Sequence, residues 1–133
     1  MADSQGAVVD RFYGGLASGN LDESLACLAP EARIWHCFDG IAQDRKCSFA
    51  GWQDLVANFP SRAFVDIRRH AVAGGFVQQM MMTVRTASGE SVGWPICVVI
   101  MLKDGLIVRI DEYIDRAGRF DVTNACAEAT PGL

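Results

Sequence analysis

The sequence of 133 residues is poor in basic side chains and in histidine. It has 12 lysines and arginines against 16 aspartates and glutamates, two histidines and a formal net charge of −4. Affinity for nucleic acid depends largely on clustered lysine and arginine, so this charge balance excludes an extended phosphate-binding surface. The one basic cluster, Arg68-Arg69-His70, is too small to bind nucleic acid.

The sequence also lacks long apolar runs, a hydrophobic leader and paired cysteines. The longest apolar run, 94–102, suits a buried strand and is too short to cross a bilayer. The first six residues are polar and acidic, so we expect no signal peptide and no membrane partner. Five scattered cysteines, never spaced as Cys-x-x-Cys, exclude a disulfide framework and a cysteine-based zinc site. Free thiols in a reducing compartment fit this pattern, which predicts a cytoplasmic protein.

The proportions of hydrophobic and charged residues indicate a globular protein. Half of the residues are hydrophobic and 21% are charged, a composition that excludes disorder. The length suits one domain over 1–133 with a sizeable core. We expect the polar tail, 116–133, to pack loosely.

The first half of the chain has helical patterns. Apolar positions at helical spacing predict a helix over 4–18. Asn20 begins a capping-box pattern for a second helix, which we expect to end at Pro30. A third short helix is predicted over 51–59, after a loop.

The second half has β patterns. Short connections containing glycine separate its extended runs, which is typical of antiparallel hairpins. With one early strand near 34–38, the order predicts an α+β fold in which three helices pack on a strongly curved antiparallel or mixed sheet. The open end of such a sheet is a natural pocket. The predicted strands are 63–73, 76–86, 91–102 and 106–115.

His36 lies in the early strand, between Ile34 and Phe38 on the same face. A histidine among large apolar side chains must be hydrogen-bonded or it loses free energy as an unpaired buried group. It is also the side chain that ionises nearest neutral pH. His36 is therefore either a satisfied core residue or an acid–base group.

Two runs near the ends of the chain carry a family resemblance. The runs 7–13 (AVVDRFY) and 104–115 (DGLIVRIDEYID), in this order of elements, resemble the nuclear transport factor 2-like superfamily. The closer resemblance is to its SnoaL-like branch, with ketosteroid isomerases, limonene epoxide hydrolases and small polyketide cyclases as relatives. It implies a cystatin-like α+β barrel with a cone-shaped pocket between helices and sheet. This fold hosts enzymes, binding modules and assembly domains alike.

Ketosteroid isomerases supply one set of implied positions. His36 falls where those enzymes keep their carboxylate base. Phe12 and Cys97 fall at the two oxyanion donors, although Tyr13 stands one position away. The resemblance therefore implies a retained base position and argues against steroid isomerisation with that constellation.

Limonene epoxide hydrolases supply a second set of implied positions. Glu112 falls at their catalytic aspartate on the last strand. Gln79 and Met81 fall at the arginine and the second aspartate of that site. Epoxide hydrolysis by the same arrangement is not expected.

Strand alternation then predicts which residues face the pocket. If Glu112 faces it, so do its neighbours two positions apart, and the two preceding strands are expected to contribute a matching row. The result is an apolar pocket with few polar groups, as small-molecule sites usually are. The predicted lining of the three strands is Val77, Gln79, Met81 and Thr83, then Cys97, Val99 and Met101, then Val108, Ile110, Glu112 and Ile114.

The other face of the sheet is expected to pair two subunits, as the resemblance implies. An alternating stripe of Arg109, Asp111, Tyr113 and Asp115 marks it. We expect Trp35, Val98 and Ile100 to add apolar area to this face, which would be a liability in a monomer. The sequence therefore predicts a homodimer.

The sequence supports a cofactor-independent isomerase, dehydratase or cyclase acting on a hydrophobic carbonyl compound. His36 would be the general base or acid and Glu112 its partner. The alternatives are a non-catalytic ligand-binding or assembly domain and, less well supported, the shorter equivalent of an aromatic-ring dioxygenase β subunit. No metal or organic cofactor is implied, because one histidine and one glutamate do not make a metal site. The expected substrate-binding residues are Tyr13, Phe38, Asp39 (also a turn signal), Trp52, Gln79, Met81, Cys97, Val99 and Ile110.

Overall fold

The computed structural model describes residues 2–114 and 120–121, with side chains described for residues 4–114. No helix in this part of the chain is both long and apolar enough to span a bilayer. The helices are α1 (Ala2–Ser18), α2 (Leu21–Ala26) and α3 (Arg45–Asn58). The strands are β1 (Leu28–His36), β2 (Ala42–Gln43), β3 (Ser61–Val72), β4 (Gly75–Arg85), β5 (Ser91–Lys103), β6 (Leu106–Ile114) and β7 (Phe120–Asp121).

All seven strands belong to one sheet of order β2-β1-β6-β5-β4-β3, with β7 pairing to β5. β1 runs parallel to β6, and every other described pairing is antiparallel. The β3–β4 and β5–β6 turns each contain a glycine with φ of 81°, Gly74 and Gly105, where other residues are strained. The predicted α+β class with three helices on a mixed sheet is confirmed.

The early part of the chain differs from the prediction at Pro30. α2 ends at Ala26, and Pro30 lies inside β1 instead of closing a helix. Pro30 lies between Leu28 and Arg33, where the register of β1 on β6 shifts, and irregularities of this kind are where strands tolerate proline. Asn20 is the N-cap of α2, as predicted, but its side chain makes no capping hydrogen bond.

α3 begins earlier than predicted, at Arg45 rather than near Gly51. Its N-cap is Asp44, whose Oδ1 accepts a hydrogen bond of 2.9 Å from the Cys47 backbone N–H. An aspartate satisfies one of the free N–H groups of a first turn, which is why helices begin readily at this residue. The longer α3 covers the cavity described below. Of the tail, 116–133, the structure describes only β7. The prediction that the tail packs loosely concerns residues that lie outside the described part of the chain.

The core lies between the helices and the concave face of the sheet. α1 contributes Val9, Phe12 and Leu16, at the spacing of one helix face. Arg62 of β3 holds the end of this helix, because its guanidinium donates to the carbonyls of Leu16 at 2.9 Å and Ala17 at 3.0 Å. These carbonyls would otherwise lack helical partners. The fully buried sheet residues include Val98, Ile100, Ile107 and Ile110.

The inner faces of β4 and β5 are offset by one residue from the prediction. The predicted pocket rows (Val77, Gln79, Met81 and Thr83; Cys97, Val99 and Met101) are half-buried on the outer face, and Val98 and Ile100 point into the core. Both predictions were wrong because these strands are apolar on both faces, so alternation does not identify the inner one. The residues that face inward are Phe76, Gln78, Met80, Met82 and Val84 on β4, and Trp94, Ile96, Val98, Ile100 and Leu102 on β5.

Candidate active site

A cavity of about 510 Å³ lies between α1, α3 and the concave face of the sheet. Most of its wall is apolar, with Phe12 and Trp52 from the helices and Trp94 from β5 among the aromatic side chains. Phe12 and Trp52 pack edge to face, with ring centroids 5.5 Å apart. The polar lining residues are Tyr13, His36, Gln43, Ser48, Asp54 and Glu112. A mostly apolar cavity with a few polar groups is typical of a small-molecule site.

His36 and Glu112 form the central polar pair of the cavity. They are direct partners in the parallel pairing of β1 and β6, and His36 Nε2 lies 3.3 Å from Glu112 Oε2. The side chains are 18% and 23% exposed. The Phe38 ring covers His36 at a centroid distance of 5.0 Å. An imidazole and a carboxylate held together in a partly dehydrated site can exchange protons with a bound molecule.

Tyr13 projects from α1 into the same cavity. Its ring packs edge to face with Phe12 at 4.9 Å and Phe64 at 5.0 Å. Burial raises the pKa of Tyr13 well above its ordinary value, the negative charge of Glu112 adds to the shift, and Arg69 opposes it. The phenol therefore stays protonated at neutral pH and is a hydrogen-bond donor.

This pKa shift has a measurable consequence for stability. Below about pH 10, Tyr13 is protonated in both the folded and the unfolded chain. As the pH rises further, the unfolded chain ionises first, so the free energy of unfolding falls by up to about 1.4 kcal/mol per pH unit. Urea denaturation between about pH 8 and about pH 11 measures this slope. Tyr13→Phe should flatten it, and a slope unchanged from that of the wild type would contradict the prediction.

Several predicted site residues reach the cavity and several do not. Tyr13, Phe38, Trp52 and Ile110 line it, with His36 and Glu112. Asp39 is in a turn, where its Oδ1 accepts a hydrogen bond of 2.9 Å from the Ile41 backbone N–H. The prediction that Gln79, Met81, Cys97 and Val99 contact substrate was wrong, because they lie on the opposite face of the sheet.

Among the cavity residues that the sequence prediction missed, Gln43 and Ser48 flank the start of α3, and Met80 and Met82 lie on β4. Gln43 pairs with Ile34 across β1 and β2, so its side chain reaches the face that carries His36. Ser48 lies one turn into α3. Asp44, a residue type that commonly caps helices, was the sequence signal for the earlier start of α3. On β4, Met80 and Met82 take the place expected of Gln79 and Met81.

Within residues 4–114, no three histidine, cysteine, aspartate or glutamate side chains are grouped so that they could hold a metal ion.

The curved sheet, its three helices and the cavity between them define a cone-shaped ligand-binding fold of the nuclear transport factor 2-like type. The model of the SnoaL-like domain matches residues 9–110. The chain belongs to this family. No curated protein has a significantly similar sequence.

Solved structures share the fold at low sequence identity. An LEH-like epoxide hydrolase from M. tuberculosis superposes with a TM-score of 0.74 at 14% identity, covering 96% of this chain and 98% of that one. A provisionally named polyketide cyclase from Xanthomonas campestris pv. campestris gives 0.73 at 16% identity, covering 96% and 98%. AclR from Streptomyces galilaeus, provisionally named a hydroxylase, gives 0.77 at 12% identity, covering 98% and 99%. These similarities establish the shared architecture.

Proposed function

We propose that this protein is a cofactor-independent isomerase, dehydratase or cyclase that acts on a hydrophobic carbonyl compound. The observation that carries the proposal is the contact of 3.3 Å between His36 Nε2 and Glu112 Oε2 inside the cavity. Structures that share this fold are named for several chemistries, so the fold alone does not define the reaction class.

Proton transfer beside a carbonyl group is the chemistry that these residues support. A base removes a proton from the carbon next to the carbonyl, and the electron pair of the broken C–H bond moves onto the carbonyl oxygen. The His36–Glu112 pair holds the proton and returns it to a different carbon in an isomerisation, or to the hydroxyl that leaves as water in a dehydration. In an aldol-type ring closure, the carbon that lost the proton bonds to a second carbonyl carbon, and the proton goes to the oxygen of that carbonyl. Tyr13 can donate a hydrogen bond to the oxygen on which charge develops.

The size of the cavity supports a ring compound as the ligand. About 510 Å³ lies in the usual range for small-molecule pockets, and the aromatic side chains around it line the space without filling it. Phe38 and Ile41, 45% and 56% exposed, add apolar area on the segment that follows β1. Such surface favours uptake of an apolar molecule.

The test is deuterium exchange of 1-tetralone, a two-ring ketone with exchangeable protons next to its carbonyl group. The ketone is incubated in heavy water with the protein, and loss of those proton signals is followed by NMR. The proposal expects exchange faster than in buffer alone. Binding of 1-tetralone by calorimetry with exchange at the buffer rate would instead support the second candidate, a non-catalytic ligand-binding domain, which the open cavity also favours.

We further propose that the protein is a homodimer through the outer face of the sheet. Trp35 and Tyr113 pack together there with ring centroids 5.3 Å apart, and Tyr113 is 49% exposed. Val77, Val99 and Met101 are half-buried on the same face. Apolar area of this kind, here beside the Arg109–Asp111 ion pair, is usually covered by a partner, and a twofold axis lets one face cover itself.

Val77→Lys is expected to weaken the dimer by about 100-fold or more, because its cross-strand partners on the proposed contact face, His70 and Val99, offer no carboxylate to pair with the new charge. Sedimentation equilibrium measures the change. Ala57→Lys, at an exposed position of α3, is the matched control and should leave association unchanged. A wild-type protein that sediments as a monomer at high concentration would contradict the proposal.

A cytoplasmic location completes the proposal. Cys27, Cys37, Cys47 and Cys97 are all free thiols, which suits a reducing compartment.

A further inference from the structure

The hydroxyl of Ser48 is a polar group of the cavity that the proposed chemistry does not use. Ser48 lies near the start of α3, is 2% exposed, and lines the cavity. Its Oγ makes no hydrogen bond to any residue that the structure describes. A buried hydroxyl in a folded protein is nearly always paired, because an unpaired one has lost its hydration without replacement.

The other two buried polar residues of the described chain, Ser24 and Gln78, are paired within the fold. Arg45 Nε also lacks a partner there, but Arg45 does not line the cavity. Ser24 is 0% exposed, and its Oγ donates a hydrogen bond of 2.6 Å to the Phe12 carbonyl. Gln78 is also 0% exposed, and its Oε1 accepts a hydrogen bond of 2.7 Å from Arg69 Nε. Ser48 differs from both, and it alone of the three lines the main cavity. This contrast points to a partner that comes from the cavity side.

The proposed reaction needs hydrogen-bond donors near the carbonyl oxygen of the substrate. The two positions that the family resemblance implies for such donors do not supply them. Charge develops on the carbonyl oxygen when the neighbouring carbon loses its proton, and donors aimed at that oxygen stabilise the transition state. Of the two positions where the resemblance placed such donors, Phe12 has no donor group and Cys97 lies on the outer face. Tyr13 supplies one donor from α1, and Ser48 is available to supply a second from α3.

We propose that Ser48 is a ligand-binding residue whose hydroxyl donates a hydrogen bond to the carbonyl oxygen of the substrate. This inference rests on the proposed function, and it adds a prediction about which ligands the cavity prefers. The cavity should prefer an oxygenated ring compound over the hydrocarbon of the same shape, because only the oxygenated compound supplies an acceptor for the buried hydroxyl.

The experiment compares two ligands and three proteins. The ligands are 1-tetralone and tetralin, which share a ring skeleton and differ in the carbonyl oxygen. The proteins are the wild type, Ser48→Ala and Ser24→Ala, and binding is measured by calorimetry. Ser48→Ala should weaken 1-tetralone binding about threefold to tenfold and leave tetralin binding unchanged, since one neutral hydrogen bond is lost. Ser24→Ala should leave both affinities unchanged.

Thermal unfolding of the same proteins separates ligand binding from a structural role. Ser24→Ala should lower the melting temperature because it removes a hydrogen bond within the fold. Ser48→Ala should leave it equal or higher, because it removes an unpaired polar group. If the Ser48 hydroxyl instead bonds the Asp44 carbonyl, which already accepts the Ser48 N–H at 3.0 Å, Ser48→Ala would lower the melting temperature with ketone affinity intact. That result would overturn the assignment.

The proposed function can fail independently of Ser48. A preference for 1-tetralone that Ser48→Ala abolishes, without any accelerated deuterium exchange, would support the role of Ser48 and overturn the catalytic proposal. Accelerated exchange with identical ketone affinity in the wild type and Ser48→Ala would do the reverse. If the wild type binds neither 1-tetralone nor tetralin, both proposals are overturned.

Discussion

His36→Gln is expected to slow the protein-dependent deuterium exchange of 1-tetralone by about 100-fold to 10,000-fold, the usual contribution of a positioned acid–base group. Glutamine is close to histidine in polarity and keeps a donor near Glu112, but it cannot accept and release a proton at neutral pH. The loss should therefore fall on the exchange rate and not on ketone affinity. NMR exchange rates and calorimetric affinities, measured on the same samples, separate the two effects.

Glu112→Gln tests the partner of this pair. It keeps the shape of the side chain but removes the carboxylate charge 3.3 Å from His36 Nε2, so the protein-dependent exchange should slow by about tenfold or more. His70→Gln, at the exposed histidine of β3, is the matched control and should exchange at the wild-type rate. A His36→Gln variant that exchanges 1-tetralone as fast as the wild type would remove His36 from the proposed mechanism.

Gly15→Ala is expected to lower the free energy of unfolding by about 2 kcal/mol or more, as overpacking of a tight contact does. Gly15 lies where α1 and α2 approach most closely. An added Cβ would collide with Ser24 Oγ and lie 2.8 Å from the Asn20 carbonyl oxygen. The carbonyl belongs to the backbone and cannot rotate away, so the two helices would have to separate. Urea denaturation measures the loss.

The preceding residue provides the control for this prediction. A Cβ added at Gly14 would meet no atom within 4 Å. Gly14→Ala should therefore raise the free energy of unfolding by about 0.5–1 kcal/mol, because alanine favours the helix over glycine. Opposite signs at adjacent glycines are the expected result. Destabilisation of similar size in both variants would show that helix propensity, and not the approach of α2, determines the effect.

These glycines illustrate how far the sequence predicts the fold. Helical apolar spacing predicts α1 correctly, and glycine-containing connections predict the hairpins of β3 to β6 within a few residues. The sequence does not distinguish Gly14 from Gly15, because the contact that separates them is made by a different helix. Pro30 shows the same limit: a helix-breaking residue is harmless in a strand whose register shifts around it.

The predictability of the candidate site depends on which strand carries the residue. On β6, the charged Arg109 and Asp111 alternate with apolar residues, so the inward position of Glu112 follows from the pattern. On β4 and β5, apolar residues occupy both faces, and Gln79 and Cys97 were assigned to the wrong one. Ser48 was missed because a serine within a helix carries no sequence signal that its hydroxyl lacks a partner.

The parallel pairing of β1 with β6 has a consequence for folding kinetics. The hairpins β3–β4, β4–β5 and β5–β6 join neighbouring segments, whereas the contact between Cys37 and Ile114 spans 77 residues. Closing so long a loop is entropically more costly than forming a hairpin, so distant strand pairing is slow. His36 meets Glu112 only across this pairing. A partly folded chain can therefore contain the hairpins and still lack the His36–Glu112 contact, so we expect the proposed proton exchange to recover after the hairpins during refolding.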